Sequence, residues 1–143
     1  MTATIAQARD EILGTFQTAW LADSVSQLLP VLYSDVSQEP PDAGAWARVT
    51  INHTASRQAT LSGETGARRY RRFGFVTVQL FTPTGEGLTL GDELTTIAVR
   101  AFEGVTTAPG RVIFRNVRPI EVGQGGSWFQ TNVLADFEYD EVR

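Results

Sequence analysis

The sequence predicts an α+β fold: a mostly antiparallel sheet of about five strands with two amphipathic helices packed on it. Three observations predict it. Two stretches carry apolar residues at three- and four-residue spacing, several others alternate with period two, and the helices interrupt hairpin-like strand neighbours instead of alternating strictly with strands. A chain of 143 residues has the length of one domain built on one hydrophobic core, and no internal repeat divides it.

In chain order, Thr4–Trp20 places Ile5, Ala8, Ile12, Leu13, Phe16, Ala19 and Trp20 on one side of a helix, with Arg9, Asp10 and Glu11 opposite. Thr4 or Thr2 supplies its cap. Pro30 bars a helix interior from Leu28–Val36, and Val31 to Tyr33 reads as a short first strand. After the loop Gln38–Gly44, the segment Ala45–Thr54 alternates Trp46, Arg48, Thr50 and Asn52 with Ala47, Val49, Ile51 and His53, so one face is buried and the other wet. The range from Ala55 to Arg71 is rich in glycine, serine, threonine and arginine, and reads as an extended hairpin or mobile loop, a long hairpin loop between strands two and three. Loops of that length inside a compact domain are uncommon unless they act, which directs attention to Gly63–Arg72.

The strand Arg72–Pro83 is apolar on both faces. Val76, Val78 and Leu80 fall on one side, and Phe73, Phe75 and Phe81 on the other, diluted by Thr77 and Gln79. One face fills the core; the other needs a cover, from a second layer of this chain or from another subunit. We expect the aromatic face to be the outer one. Thr82–Gly87 is a turn cluster, after which Thr89 is expected to cap a second helix with Asp92 as its capping-box partner. Leu90, Leu94, Ile97, Ala98, Ala101 and Phe102 form that helix's apolar stripe, and Gly104 ends it. A fourth strand spans Arg111–Val122, the turn Gly123–Ser127 follows, and the last strand, Trp128–Tyr139, sets Phe129, Val133, Ala135, Phe137 and Tyr139 against Gln130, Asn132, Asp136 and Glu138.

Composition removes several chemistries. The 42% hydrophobic and 20% charged content is that of a folded globular chain. There is no cysteine, and all 12 basic residues are arginine, so thiolate nucleophiles, cysteine metal sites, Schiff-base lysines and a P-loop lysine are excluded. No window approaches the roughly 18 apolar residues of a membrane span, and the N-terminal residues lack signal-peptide features, so a cytoplasmic protein without membrane partners is expected. His53 is the sole histidine; its nearest triad-like company is Ser56 and Asp35, with no nucleophile motif, and a structural or solvent-facing role is the expected one. No catalytic residue, metal or cofactor is expected.

The sharpest charge feature is Arg68-Arg69-Tyr70-Arg71-Arg72, which can grip phosphates and stack on bases, can lie solvated, or can dock on an acidic surface such as Asp136, Glu138, Asp140 and Glu141 of a neighbouring copy. The net charge of −4 speaks against the broad basic footprint of a duplex binder, and protein contact is the favoured reading.

The segments Trp46–His53, Gly74–Pro83 with Gly85 and Gly87, and Trp128–Val133 followed by Phe137–Asp140 together resemble small tail proteins of long-tailed bacteriophages, the tail terminator or tail completion family. The likeness covers nearly the whole chain. It implies an α+β subunit of a hexameric ring at the head-proximal end of the tail tube, a ring that stops tube polymerisation and receives head-completion or connector proteins while DNA passes its channel without specific recognition. It further implies a virion protein, made in the host cytoplasm, with no catalytic residues. Phe73, Phe75 and Phe81 are then expected in or near a subunit contact, with Arg68, Arg69, Tyr70, Arg71 and Arg72 touching a neighbour or the tail tube protein. The rival readings are a nucleic-acid-binding accessory protein acting through those arginines, and another head-to-tail connector or tube subunit.

Overall fold

The structure, a computed structural model, describes residues 2–33, 38–60, 63–107 and 110–143. The elements run α1 (Ile5–Ala22), β1 (Val31–Tyr33), β2 (Trp46–Gln58), β3 (Arg69–Pro83), α2 (Thr89–Phe102), β4 (Ile113–Gly125) and β5 (Trp128–Val142). All five strands form one sheet in the order β1-β2-β3-β5-β4. Every pairing is antiparallel except β1 with β2. Residues 34–45 join that parallel pair, about the dozen residues a parallel crossover requires.

Helix α1 starts on a reciprocal cap: Gln7 N donates to Thr4 Oγ1 at 3.2 Å and Thr4 N donates to Gln7 Oε1 at 2.9 Å. The expected cap on α2 is corrected. Leu88 occupies the capping position without a side-chain hydrogen bond, and Thr89 is already inside the helix. The turn that precedes it, with Gly85 at φ 87° and Gly87 at φ 80°, delivers the chain one residue early. Gly104, at φ 69°, ends α2 in the left-handed conformation that suits glycine.

Both helices lie on one face of the sheet. Ala8, Ile12, Phe16 and Trp20 of α1 and Leu94, Ala98, Ala101 and Phe102 of α2 meet Val49 and Ile51 of β2, Val76, Val78 and Leu80 of β3, and Val133, Ala135 and Phe137 of β5 in one buried cluster. Phe16 and Phe102 stack at 6.2 Å, and Phe102 continues onto Phe114 at 4.9 Å. Each large side chain sealed here contributes about 1.5–3 kcal/mol through removal from water.

The strands are longer than sequence alternation suggests. β2 continues through Gln58 and β3 begins at Arg69, so Ala55–Gln58 and Arg69–Arg71, expected in the hairpin loop, are ladder residues. Gly74 sits in the middle of this three-strand ladder, opposite His53 and Phe137. The Phe137 ring fills the space that a side chain at Gly74 would need. β4 is an edge strand, which is where Pro119 is tolerated, and Asn116 at φ 53° marks its bulge.

Candidate subunit interface

Period-two alternation sends Trp46, Arg48, Thr50 and Asn52 of β2, and Phe73, Phe75, Thr77, Gln79 and Phe81 of β3, to the face away from the helices. Register brings Gln130, Asn132, Leu134, Asp136 and Glu138 of β5 beside that β3 row. On β3, Val76, Val78 and Leu80 are at most 1% exposed, whereas Phe73, Phe75 and Phe81 are half-buried.

The open face has three zones. At one end Trp46 stacks on Phe81 with ring centroids 4.1 Å apart and planes 12° from parallel, Trp128 stands edge-on at 6.1 Å, and the Arg48 guanidinium lies 5.2 Å from the Trp46 centroid. Such rings add about 0.5–1.5 kcal/mol per pair beyond area burial. Trp46 is buried, 3% exposed, yet its indole Nε1–H has no acceptor among the described residues. The middle is a polar and aliphatic strip of Thr50, Thr77, Gln79, Asn132 and Leu134. At the far end Phe73 carries Arg57 over its ring at 5.6 Å, next to the ion pairs Arg115–Glu138 at 2.7 Å and Arg118–Asp136 at 3.3 Å.

The arginine cluster stands on strand β3 rather than in a loop, except for Arg68, and its charges are largely met inside the chain. Because β5 lies beside β3, Arg71 faces Asp140 directly and donates to it from Nε at 2.9 Å and from Nη2 at 3.4 Å, while Arg69 reaches the same carboxylate at 3.4 Å. The Arg71 hydrogen bond is the main cause holding the Asp140 carboxyl below its ordinary range. On the helix side, Arg72 donates to Glu141 from Nη2 at 2.7 Å and from Nε at 3.1 Å, and from Nη1 to Ser56 Oγ at 2.9 Å, with its guanidinium 5.5 Å from the Tyr70 centroid. The acidic end anticipated as a neighbour's docking surface thus serves the arginines of its own chain. Three of the four guanidinium groups are held in ion pairs and the fourth, that of Arg68, donates from Nε to the Gly63 carbonyl at 2.9 Å, which weakens the reading as a phosphate grip.

His53 pairs with a phenol, not a nucleophile: its Nε2 lies 2.7 Å from Tyr139 Oη, and Ser56 is occupied by Arg72. Burial is the first cause lowering the imidazole pKa, followed by Arg9 and Arg72. Burial also pushes the phenol up to about 12. The pair is neutral and structural near pH 7, wedged edge-on against Phe137 at 5.3 Å. Asp35 lies outside the described residues. Among the described residues no three His, Asp or Glu side chains converge as a metal site, and no helix is long and apolar enough to cross a membrane.

Sequence reasoning singled out Phe73, Phe75 and Phe81 but missed Trp46 and Trp128 as partners of Phe81. The alternation of Ala45–Thr54 put Trp46 on the wet face, and that aromatic on a polar row was the available signal.

No curated protein matches the chain significantly. One solved structure aligns with a TM-score of 0.63 over 92% of this chain and 94% of its own at 18% identity, a likeness of fold. The sequence model of one family, described as phage tail terminator protein, matches residues 4–133, and the chain therefore belongs to the phage tail terminator family.

Proposed function

We propose that this structural phage tail protein is the subunit of a ring, hexameric in the assembled tail, that caps the head-proximal end of the tail tube, stops its polymerisation and presents the surface on which head-completion or connector proteins dock. DNA passes the ring without specific recognition, and no reaction is catalysed. Family membership supports the role. The observation that carries the contact is the uncovered sheet face, where Phe73, Phe75 and Phe81 stay half-buried while the opposite face of the same strand is sealed. A ring closes by joining two different flanks of each subunit, and half-buried aromatics on a mixed polar surface are the composition of such contacts. The hairpin residues Arg68, Arg69, Tyr70, Arg71 and Arg72 border that face and touch a neighbour or the tail tube protein. Electron microscopy of tails assembled without this chain tests the role: overlong tubes are expected, and tubes of normal length would refute it.

A further inference from the structure

The charges of this chain are segregated along its sheet. Arg57, Arg68, Arg69, Arg71, Arg72 and Arg143 gather where the β2–β3 hairpin and the end of β5 meet, against only Glu64, Asp140 and Glu141, so the side chains at this end sum to +3 while those of the whole chain sum to −4 and those of the rest to −7. A cleft of about 370 Å³ opens there, lined by Thr65, Arg68, Tyr70, Arg72 and Arg143, with no acidic residue on its wall among the described residues. Backbone pairing ties its floor together, with Arg68 N to Arg143 O at 3.1 Å and Arg143 N to Arg68 O at 2.8 Å. Among the described residues no ion pair holds Arg57, Arg68 or Arg143.

At the other end of the sheet a groove of about 560 Å³ separates α2 from β4, lined by Asp92, Thr95, Thr96, Pro119, Glu121 and Thr131, with no basic residue on its wall among the described residues. Neither Asp92 nor Glu121 takes part in an ion pair among the described residues. Glu121 stands opposite Thr131 of β5, and the arginine cleft lies by Val142 of the same strand. At 3.3 Å per residue the two poles are roughly 36 Å apart, several Debye lengths at physiological salt. The unpaired cations and carboxylates of one molecule therefore cannot satisfy each other.

We infer that the arginine cleft of one copy docks into the α2–β4 groove of the next copy, a head-to-tail contact in which Arg68 and Arg143 meet Asp92 and Glu121. The inference rests on the ring reading, since a contact between two different poles is heterologous and generates a closed ring when its rotation closes. A second copy is the favoured occupant because the complementary groove is present on the same molecule, where a polyanion would meet a chain of net negative charge.

The test supplies variants to cells that assemble tails without the wild-type chain, and reads tube length by electron microscopy. Arg68→Glu with Arg143→Glu, and separately Asp92→Arg with Glu121→Arg, are each expected to leave tubes as overlong as omission does. Supplied together they are expected to restore normal length, because in an alternating ring every contact is then either native or reversed in both charges. Normal tubes from either double variant alone, or no restoration from the mixture, would overturn the contact. Loss with the arginine variant alone, while the acidic variant terminates normally, would assign the cleft to DNA or the tube protein instead. Circular dichroism melts verify folding, and Arg68→Gln with Arg143→Gln replaces any reversal that does not fold. Tubes of normal length on omission of the chain would sink the terminator role itself; overlong tubes on omission with normal tubes from the charge variants would sink this contact only.

Discussion

The two faces of strand β3 differ in what finishes them. Toward the helices, Val76, Val78 and Leu80 are sealed by Phe16, Phe102 and their neighbours, and the side chains are aliphatic and closely fitted. Away from the helices the row is Phe73, Phe75, Thr77, Gln79 and Phe81, whose aromatics are supported only laterally, by Trp46 at one end and Arg57 at the other. The first face is completed by the chain's own layers. The second keeps apolar area that no helix covers among the described residues, mixed with groups that tolerate water.

The sharpest way to break this contrast is to place a carboxylate on each face. Val78→Asp buries an uncompensated charge in a layer with no exposure, and is expected to destabilise by about 3–5 kcal/mol or to abolish folding. Phe81→Asp removes one stacked ring from a half-open surface, and is expected to cost about 1–2 kcal/mol, keep the native circular dichroism spectrum and fail to terminate tails. If Phe81→Asp unfolds as completely as Val78→Asp in denaturant titrations, the open face is core and the contrast is wrong.

Gly74 lies where the two faces share backbone. A Cβ there would meet the Asn52 carbonyl oxygen, the Phe137 Cζ at 2.5 Å and the His53 Cα at 3.0 Å, and two of these are backbone atoms that cannot turn aside. Gly74→Ala is expected to cost about 3 kcal/mol by overpacking, read as a lower denaturation midpoint, even though its backbone angle is ordinary. A change below about 1 kcal/mol would show that the β2–β3–β5 ladder yields there.

The neutral His53–Tyr139 pair gives the helix-covered side a signature in pH. The native imidazole pKa is depressed below 6.5, so between the two values the unfolded chain binds more protons, and stability falls as pH drops below about 6.5. The native phenol is raised from 10.0 to about 12, so the unfolded chain loses its proton first, and stability falls by roughly 2 kcal/mol as pH climbs from 10 toward 12. Tyr139→Phe is expected to flatten the alkaline limb of the melting temperature against pH profile. An unchanged alkaline limb would mean that Tyr139 titrates as an ordinary exposed phenol. Asp140, held low by Arg71, adds a further loss only in stronger acid, as pH drops through its depressed native value.

Periodicity made both helices, β2, β5 and the division of β3 legible, because a period of two or 3.6 is written in neighbouring residues, while β1 and β4 were legible from Pro30 and Pro109–Gly110 and the short apolar runs that follow them. Alternation also placed Trp46 opposite Ala47, which is where it lies. Register between strands distant in sequence was not legible. Asp140 and Glu141 became partners of Arg71 and Arg72 only because β5 inserts beside β3, a non-local pairing that no local pattern encodes. The same gap made the arginine segment read as loop: charged residues at a strand end lower the strand signal, and only their cross-strand acids restore it. The Asp92 and Glu121 groove was hidden for this reason too, since α2 and β4 meet only in three dimensions.

The smallest expected effect concerns a third surface, the outer side of the helix layer, and it limits how far the contrast between the sheet faces extends. Gly14 lies inside α1 and lines a groove of about 700 Å³ with Thr18, Ala22, Arg100 and Ala101. A Cβ added there would meet no atom within 4 Å, so the chain bears the entropy of a helical glycine without a packing reason. Gly14→Ala is expected to raise stability by about 0.5–1 kcal/mol, a few degrees in melting temperature, because alanine loses less backbone freedom on entering the helix. If assembly uses the sheet face and its two charged poles, tail termination is unaffected by this substitution. A variant that is more stable yet leaves tubes overlong would move the contact from the sheet to the groove between the helices.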